Sequence, residues 1–153
     1  MATLDPTDIR LLTALQKNAQ FTSHQLAEAL GLSASQTGRR RQRLEELGYI
    51  QGYVARLDPD LLGLPVQSFI QIHLSRHQPE TARAFARLVK TRPEITNAWS
   101  LTGEADYLLR VYCESLPVLN RLIQNVLLPH EAVARVHSQI VMDHLKRDAP
   151  LPI

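Results

Sequence analysis

Apolar residues recur at helical spacing through the first third of the chain and at strand spacing through much of the rest, and this change of period divides the molecule in two. Ile9, Leu12 and Leu15 share one side of a helix that Asp5 caps and Pro6 opens. In Thr22-Ser23-His24-Gln25 the threonine can accept from the amide three residues on while Gln25 reaches back, a capping box that Phe21 and Leu26 flank as a hydrophobic staple. A second helix is therefore predicted from about Ser23, through Leu26, Ala27 and Leu30, to a stop at Gly31. Ser33-Ala34-Ser35-Gln36 repeats the box and predicts a third helix running to Leu47, with Gly48 as C-cap. Two capped helices about a tight turn have helix-turn-helix spacing. Tyr49 to Leu57 then reads as a strand or short β-element, Asp58-Pro59-Asp60 breaks it, and Leu61 to Pro65 looks like a linker.

Beyond the linker Val66, Ile70, Ile72 and Leu74 fall on one face and Gln67, Gln71 and His73 on the other, interrupted only by Ser68 and Phe69. Pro79 opens a helix with the stripe Ala82, Phe85, Ala86 and Val89, which Arg92-Pro93 closes. Ile95 to Leu101 reads as a strand, Thr102 to Asp106 as a turn, and Tyr107 to Tyr112 as a nearly continuous apolar strand. A helix from about Leu116 to Leu127 stops before Pro129, and Val133 to Met142 is the last strand. The order β-α-β-β-α-β is that of a ferredoxin-like unit, both helices on one face of an antiparallel sheet. The open face needs a cover, and a second copy of the chain is the natural one. The expected fold class is thus α+β: a helix-turn-helix domain with its β-element over residues 1–60, and a ferredoxin-like βαββαβ domain over 65–153.

Composition narrows the class without changing this picture. Hydrophobic content of 44% with 21% charged residues is that of a globular chain. Met1-Ala2-Thr3-Leu4-Asp5 lacks a basic region followed by an apolar core, and no apolar run reaches membrane length, so a cytoplasmic protein without a membrane partner is expected. Cys113 is the lone cysteine, which excludes an intrachain disulfide and a cysteine metal cluster and suits a small hydrophobe in a strand. The six histidines, His24, His73, His77, His130, His137 and His144, do not fall at metal-ligand spacing. Neither paired carboxylates, a nucleophile elbow nor a phosphate loop is present, so no enzyme, cofactor or metal is expected.

Charge matters by placement. The chain carries a net +2, and residues 1–63 hold seven Lys/Arg against seven Asp/Glu, but Gln36 to Arg43 is +4 with no acid. A local positive footprint is what binding double-stranded DNA requires. On a helical projection Arg39 and Arg43 lie on one face with Ser35 and Gln42, while Leu44 and Leu47 lie on the other. Arg40 projects between those leucines, which favours a buried stem and a carboxylate partner such as Asp8 over direct DNA contact. A merely solvated basic face is the alternative for the run. For Gln36 the capping box is a competing use.

Leu4-Asp5-Pro6-Thr7-Asp8-Ile9-Arg10-Leu11-Leu12, the recognition-helix string Leu32-Ser33-Ala34-Ser35 with Arg40, Arg43, Leu44, Glu45 and Gly48-Tyr49-Ile50, and Thr102-Gly103-Glu104-Ala105-Asp106-Tyr107 stand in order along the chain. Together they resemble the Lrp/AsnC ("feast/famine") transcription regulators over essentially the whole length. The resemblance implies a winged-helix-like or extended helix-turn-helix tied by a β-element to a ferredoxin-like domain, a dimer that often assembles into octamers, and an amino acid or related metabolite bound near the G-x-x-D-Y turn. Thr37 and Arg41 stand where the family usually has Val, and of its small hydroxylated pair on the last strand only Ser138 of His137-Ser138 matches.

A dimer would place two recognition helices in successive major grooves. Arg39 and Arg43 would supply base or phosphate contacts, Ser35 and Gln36 would assist, and Ser23 and His24 would hold a phosphate at a helix N-terminus. With Ser33 and Arg41 these complete the expected DNA set. The expected effector set is Thr102, Gly103, Glu104, Asp106, His137 and Ser138: turn amides for a carboxylate, Asp106 for an ammonium. A turn-closing Asp106 and an unliganded, exposed His137 are the alternatives. Rival readings are an enzyme resembling sirohaem decarboxylases of the same architecture, and an effector-domain protein acting through protein contacts.

Overall fold

Three capping boxes in succession start the three N-terminal helices of the computed structural model. It describes residues 4–75 and 79–153; the start of the N-terminal stretch read above, Met1 to Thr3, and His77 lie outside the described residues. Asp5 accepts the Asp8 amide at 2.8 Å and Asp8 accepts the Asp5 amide at 3.3 Å, launching α1 (Pro6–Lys17). Thr22 with Gln25 starts α2 (Ser23–Leu30), and Ser33 with Gln36 starts α3 (Ala34–Glu46). Each box satisfies amides that the first helical turn leaves without partners. At the far end of α3, Gly48 at φ +78° lets the chain reverse, with the Tyr49 amide returning to Leu44 O at 2.9 Å.

Leu11 and Leu15 of α1, Leu26 and Leu30 of α2 and Leu44 of α3 form one buried cluster, with Phe21, Leu32 and Ile50 packed against it. Fully burying one leucine contributes about 1.5–3 kcal/mol, so these positions carry the assembly of the three helices. Thr37 is buried too. Its hydroxyl is satisfied by donating to Ser33 O at 3.0 Å, which is how threonine occupies a site that suits valine.

The expected β-element over Tyr49 to Leu57 does not form. Residues 51–58 are irregular, and Tyr53, Val54 and Leu57 are exposed. A strand exists only against a hydrogen-bonding neighbour, and among the described residues none runs beside this segment.

The chain separates into one unit of Met1–Arg56 with Leu145–Ile153 and another of Leu57–His144. The crossover falls close to the expected linker, but the last nine residues join the N-terminal unit rather than the ferredoxin-like one. In the second unit β1 (Val66–Leu74), α4 (Pro79–Lys90), β2 (Ile95–Ser100), β3 (Tyr107–Cys113), α5 (Leu116–Leu122) and β4 (Val133–Ile140) follow in order. The strands lie in the order β2-β3-β1-β4, all neighbours antiparallel. This is the ferredoxin-like arrangement. The helix expected to Leu127 changes to a π-helical turn over Ile123–Leu127.

Ile70, Ile72, Leu109, Val111 and Cys113 face a core completed by Phe85 of α4 and by Leu119 and Leu122 of α5. Alternation resolves the interruption at Ser68 and Phe69. Ser68 is buried with its hydroxyl donating to Gln139 O at 3.0 Å, while Phe69 belongs with Gln67 and Gln71 on the opposite, open face. Burial pushes the Cys113 thiol pKa up, as expected of a hydrophobic thiol away from water.

Candidate nucleic-acid interface and ligand turn

The four arginines of α3 meet four different environments. Arg40 Nη1 donates to Asp5 at 2.6 Å and to the fully buried Asp8 at 2.7 Å, joining α3 to the cap of α1. Each carboxylate strengthens the guanidinium's hold on its charge, and Asp5 is held below the usual aspartate range by the Asp8 amide first and Arg40 second. The expected pairing of Arg40 with Asp8 is present, with Asp5 as a further partner.

Arg43 Nη2 donates to Asp8 at 3.1 Å while its side chain stays 48% exposed, so one end of the guanidinium is anchored and the rest faces solvent. Arg39 is exposed and makes no hydrogen bond or ion pair among the described residues. With Gln36, Leu32, Arg40, Arg43 and Asp5 it lines a concavity of about 360 Å³.

Arg41, expected to face DNA, turns inward instead. Its Nε donates to the Tyr53 hydroxyl at 2.8 Å and to Glu45 at 3.2 Å, Nη1 donates to Phe21 O at 3.2 Å, and the guanidinium stacks 4.6 Å from the Tyr53 ring centre. Tyr53 in turn donates to Glu45 at 2.7 Å. Desolvation first, and the Glu45 carboxylate second, push its phenol pKa up. Arg41 thus ties α3 to the turn before α2 and to the segment that follows α3. No local spacing in the sequence signals a partner twelve residues on.

The remaining expected DNA residues gather about the helix starts. Ser33 and Gln36 are exposed and engaged in their reciprocal cap, as the competing reading for Gln36 held. Ser35 and His24 are exposed. Ser23 is half-buried between helices, its Oγ 3.6 Å from where a Cβ on Gly38 would stand.

In the second unit the turn between β2 and β3 holds Thr102, Gly103 and Glu104 in solvent, with Gly103 at φ +114° where a side chain would strain the backbone. Asp106 closes this turn. Its Oδ2 accepts the Leu74 amide at 2.7 Å, its own amide donates to Ile72 O at 3.0 Å, and its carbonyl accepts the Leu101 amide at 2.9 Å. Leu74, Pro79, Ala82, Ser100, Leu101, Asp106 and Tyr107 line an adjoining hollow of about 270 Å³. Of these, only Asp106 belongs to the expected effector set.

His137 and Ser138 stand opposite Gln71 and Ile70 in the β1–β4 ladder. Successive strand residues point to opposite faces, so the structure does not bring this pair together. The group from β4 that meets the turn is Arg135, donating to Glu104 at 2.7 Å beside His73 at 3.2 Å. Among the described residues no helix is long and apolar enough to cross a membrane.

A capped helix-turn-helix with a basic second helix, joined to a ferredoxin-like sheet with a glycine turn, defines a two-domain DNA-binding transcriptional regulator. Residues 4–45 match the AsnC-type helix-turn-helix domain and residues 67–151 the Lrp/AsnC ligand binding domain. The chain is 34% identical over 151 residues to the Bkd operon transcriptional regulator of Pseudomonas aeruginosa, covering 98% of this chain and 99% of that one. It is 32% identical over 150 residues to the DNA-binding transcriptional activator DecR of Escherichia coli K12, with 98% and 99% covered. Among solved structures, a transcriptional regulator of Neisseria meningitidis in complex with L-Met superposes with a TM-score of 0.94 at 35% identity, covering 98% and 97% of the two chains. The protein belongs to the Lrp/AsnC family.

Proposed function

We propose that this regulator reads operator DNA as a dimer with α3 in the major groove and answers to an amino acid bound beside the Gly103 turn. Arg39 carries the DNA half of this reading: on a helix whose other arginines hold carboxylates, it is exposed and makes no hydrogen bond or ion pair among the described residues. Arg43 joins it from its anchor on Asp8, Ser35 and Gln36 border the same surface, and His24 with the α2 start offers a phosphate seat. Arg41 is assigned to the fold of the module, not to DNA.

The effector half is supported by the family's ligand-binding domain and by the L-Met bound in the Neisseria relative. The Gly103 turn offers amides to a carboxylate, and the hollow lined by Leu74, Ala82 and Tyr107 offers apolar wall to a side chain. Asp106 serves as the brace of this site, since its carboxylate already holds the Leu74 amide. The open sheet face is assigned to a second copy of the chain, and octamers to the association of dimers. The chain is read as a cytoplasmic non-enzyme. Binding to genomic fragments, titrated with salt and with each common amino acid, tests the reading. Retention of no fragment at low salt would leave the DNA reading without support.

A further inference from the structure

After β4 the chain has no regular structure, yet it is held at two places. The Val141 amide donates to Gln67 O at 2.9 Å, extending the β1–β4 pairing by one step. From Leu145 the tail belongs to the N-terminal unit. There the Leu151 amide donates to Gln16 Oε1 at 2.6 Å and the Leu151 carbonyl accepts from Gln16 Nε2 at 3.3 Å, so the side-chain amide takes the part of a neighbouring strand's peptide. Arg56 Nη2 donates to the Asp148 carbonyl at 3.0 Å. Gln16 and Arg56 are also walls of a groove of about 510 Å³ between the end of α1 and residues 49–56, floored by Leu12, Leu15 and Ile50.

We propose that this groove is the seat of the chain's own C-terminal segment, residues 145–153, and that the seated segment is a releasable strap on the DNA-binding unit. The bonds point to the occupant: Gln16 and Arg56, both walls of the groove, grip the tail's backbone. The hold is shallow, because Leu151 stays 71% and Ile153 56% exposed, leaving a few solvent-accessible hydrogen bonds to oppose the tail's entropy. Such a balance sits where modest differences in binding shift populations.

Two consequences follow from the connectivity. The chain passes between its units at Arg56/Leu57 and again at His144/Leu145, so the strap is a second covalent link, leaving β4 a few residues beyond His137 and Ser138. It also grips Arg56 in the segment that Arg41 holds through Tyr53. A seated tail therefore narrows the conformations of residues 49–56 next to α3, and release widens them. The regulatory half of this inference rests on α3 being the DNA-reading helix; the seat does not.

Hydrogen exchange on the full chain, on Gln16→Ala and on a chain ending at His144 separates the two. The amides of Tyr49 and Ile50, which are bonded to Leu44 O at the start of this segment, should exchange roughly tenfold faster in both variants, the loss expected of a few exposed hydrogen bonds. Operator affinity of the shortened chain should fall several-fold, because a less ordered module pays more to bind. Exchange unchanged in both variants would overturn the strap, and protection that grows with protein concentration would assign the seat to a second copy's tail and overturn it equally. Faster exchange in a protein whose wild type binds no DNA would retain the seat and reject the DNA reading.

Discussion

The fully buried Asp8 carboxylate accepts from Arg43 at 3.1 Å, so the last arginine of α3 is tethered to α1. The same carboxylate takes Arg40 at 2.7 Å, and one buried charge thereby organises two guanidiniums on a helix that would otherwise repel itself. Asp8→Ala should destabilise the N-terminal unit by roughly 2–3 kcal/mol, below the full cost of breaking a buried pair because both arginines keep solvent contact. Urea unfolding would show it. Non-specific DNA affinity at low salt should rise in the same variant, since a negative charge is lost from a basic surface.

Asp5 gives this network a pH dependence of known sign. The Asp8 amide and Arg40 lower its pKa in the folded chain relative to the ordinary 3.8. Its contribution is therefore complete above about pH 4, where the unfolded group is ionised, and is lost as pH falls through the lower folded value. Thermal melts between pH 2 and 5 should show stability falling with acid. Asp5→Asn should flatten that limb, and an unchanged limb would show that other carboxylates dominate it.

Salt dependence distinguishes Arg39 from Arg41. Replacing a residue that contacts phosphate lowers the slope of log affinity against log salt by about one. Arg39→Ala should do so, with little effect on stability. Arg41→Ala should leave the slope in place but cost about 1–2 kcal/mol of stability, through the lost bonds to Tyr53 and Phe21 and the stacked ring. Equal slope changes in both would return Arg41 to the DNA surface.

These residues also show what the sequence discloses. The capping position of Asp5 and the projection of Arg40 between leucines are local patterns, and the Arg40–Asp8 pair expected from the second is present. Arg41 with Tyr53, and Arg43 with Asp8, join residues that no period relates, so only folding brings them together. Tyr49 to Leu57 has a strand's composition without a strand's neighbour. The alternation of β1 placed the sheet correctly, and the apparent break at Ser68 and Phe69 was one polar group satisfied inside and one ring left outside. The tail beyond β4 carries no period at all, so its return to α1 through Gln16 had no signature.

Asp106 is bonded to the backbone of β1, and this bears on the turn proposed to bind the effector. Asp106→Ala removes the acceptor for Leu74 N–H and should destabilise the second unit by about 1–3 kcal/mol with no ligand present. Gly103→Trp should instead leave urea stability within about 1–2 kcal/mol of wild type, the cost of a strained positive φ, while abolishing amino-acid binding in calorimetry. Binding that survives Gly103→Trp would exclude the turn as the site.

The open face of the sheet presents Phe69 with Arg110 as its partner on β3, and Trp99 opposite Leu108, which in turn faces Gln71 and then His137. Trp99 is 42% exposed in the single chain, a costly position for the protein's only tryptophan unless another surface meets it. Leu108→Asp places a charge in the middle of this row but leaves the opposite face, where Leu109 and Val111 pack on the helices, untouched. Sedimentation should show the wild type as a dimer or larger and the variant as a monomer with native circular dichroism. The monomer should retain half-site contacts yet lose most operator affinity, because the two recognition helices would no longer share one binding event. A variant that remains dimeric would place the interface elsewhere.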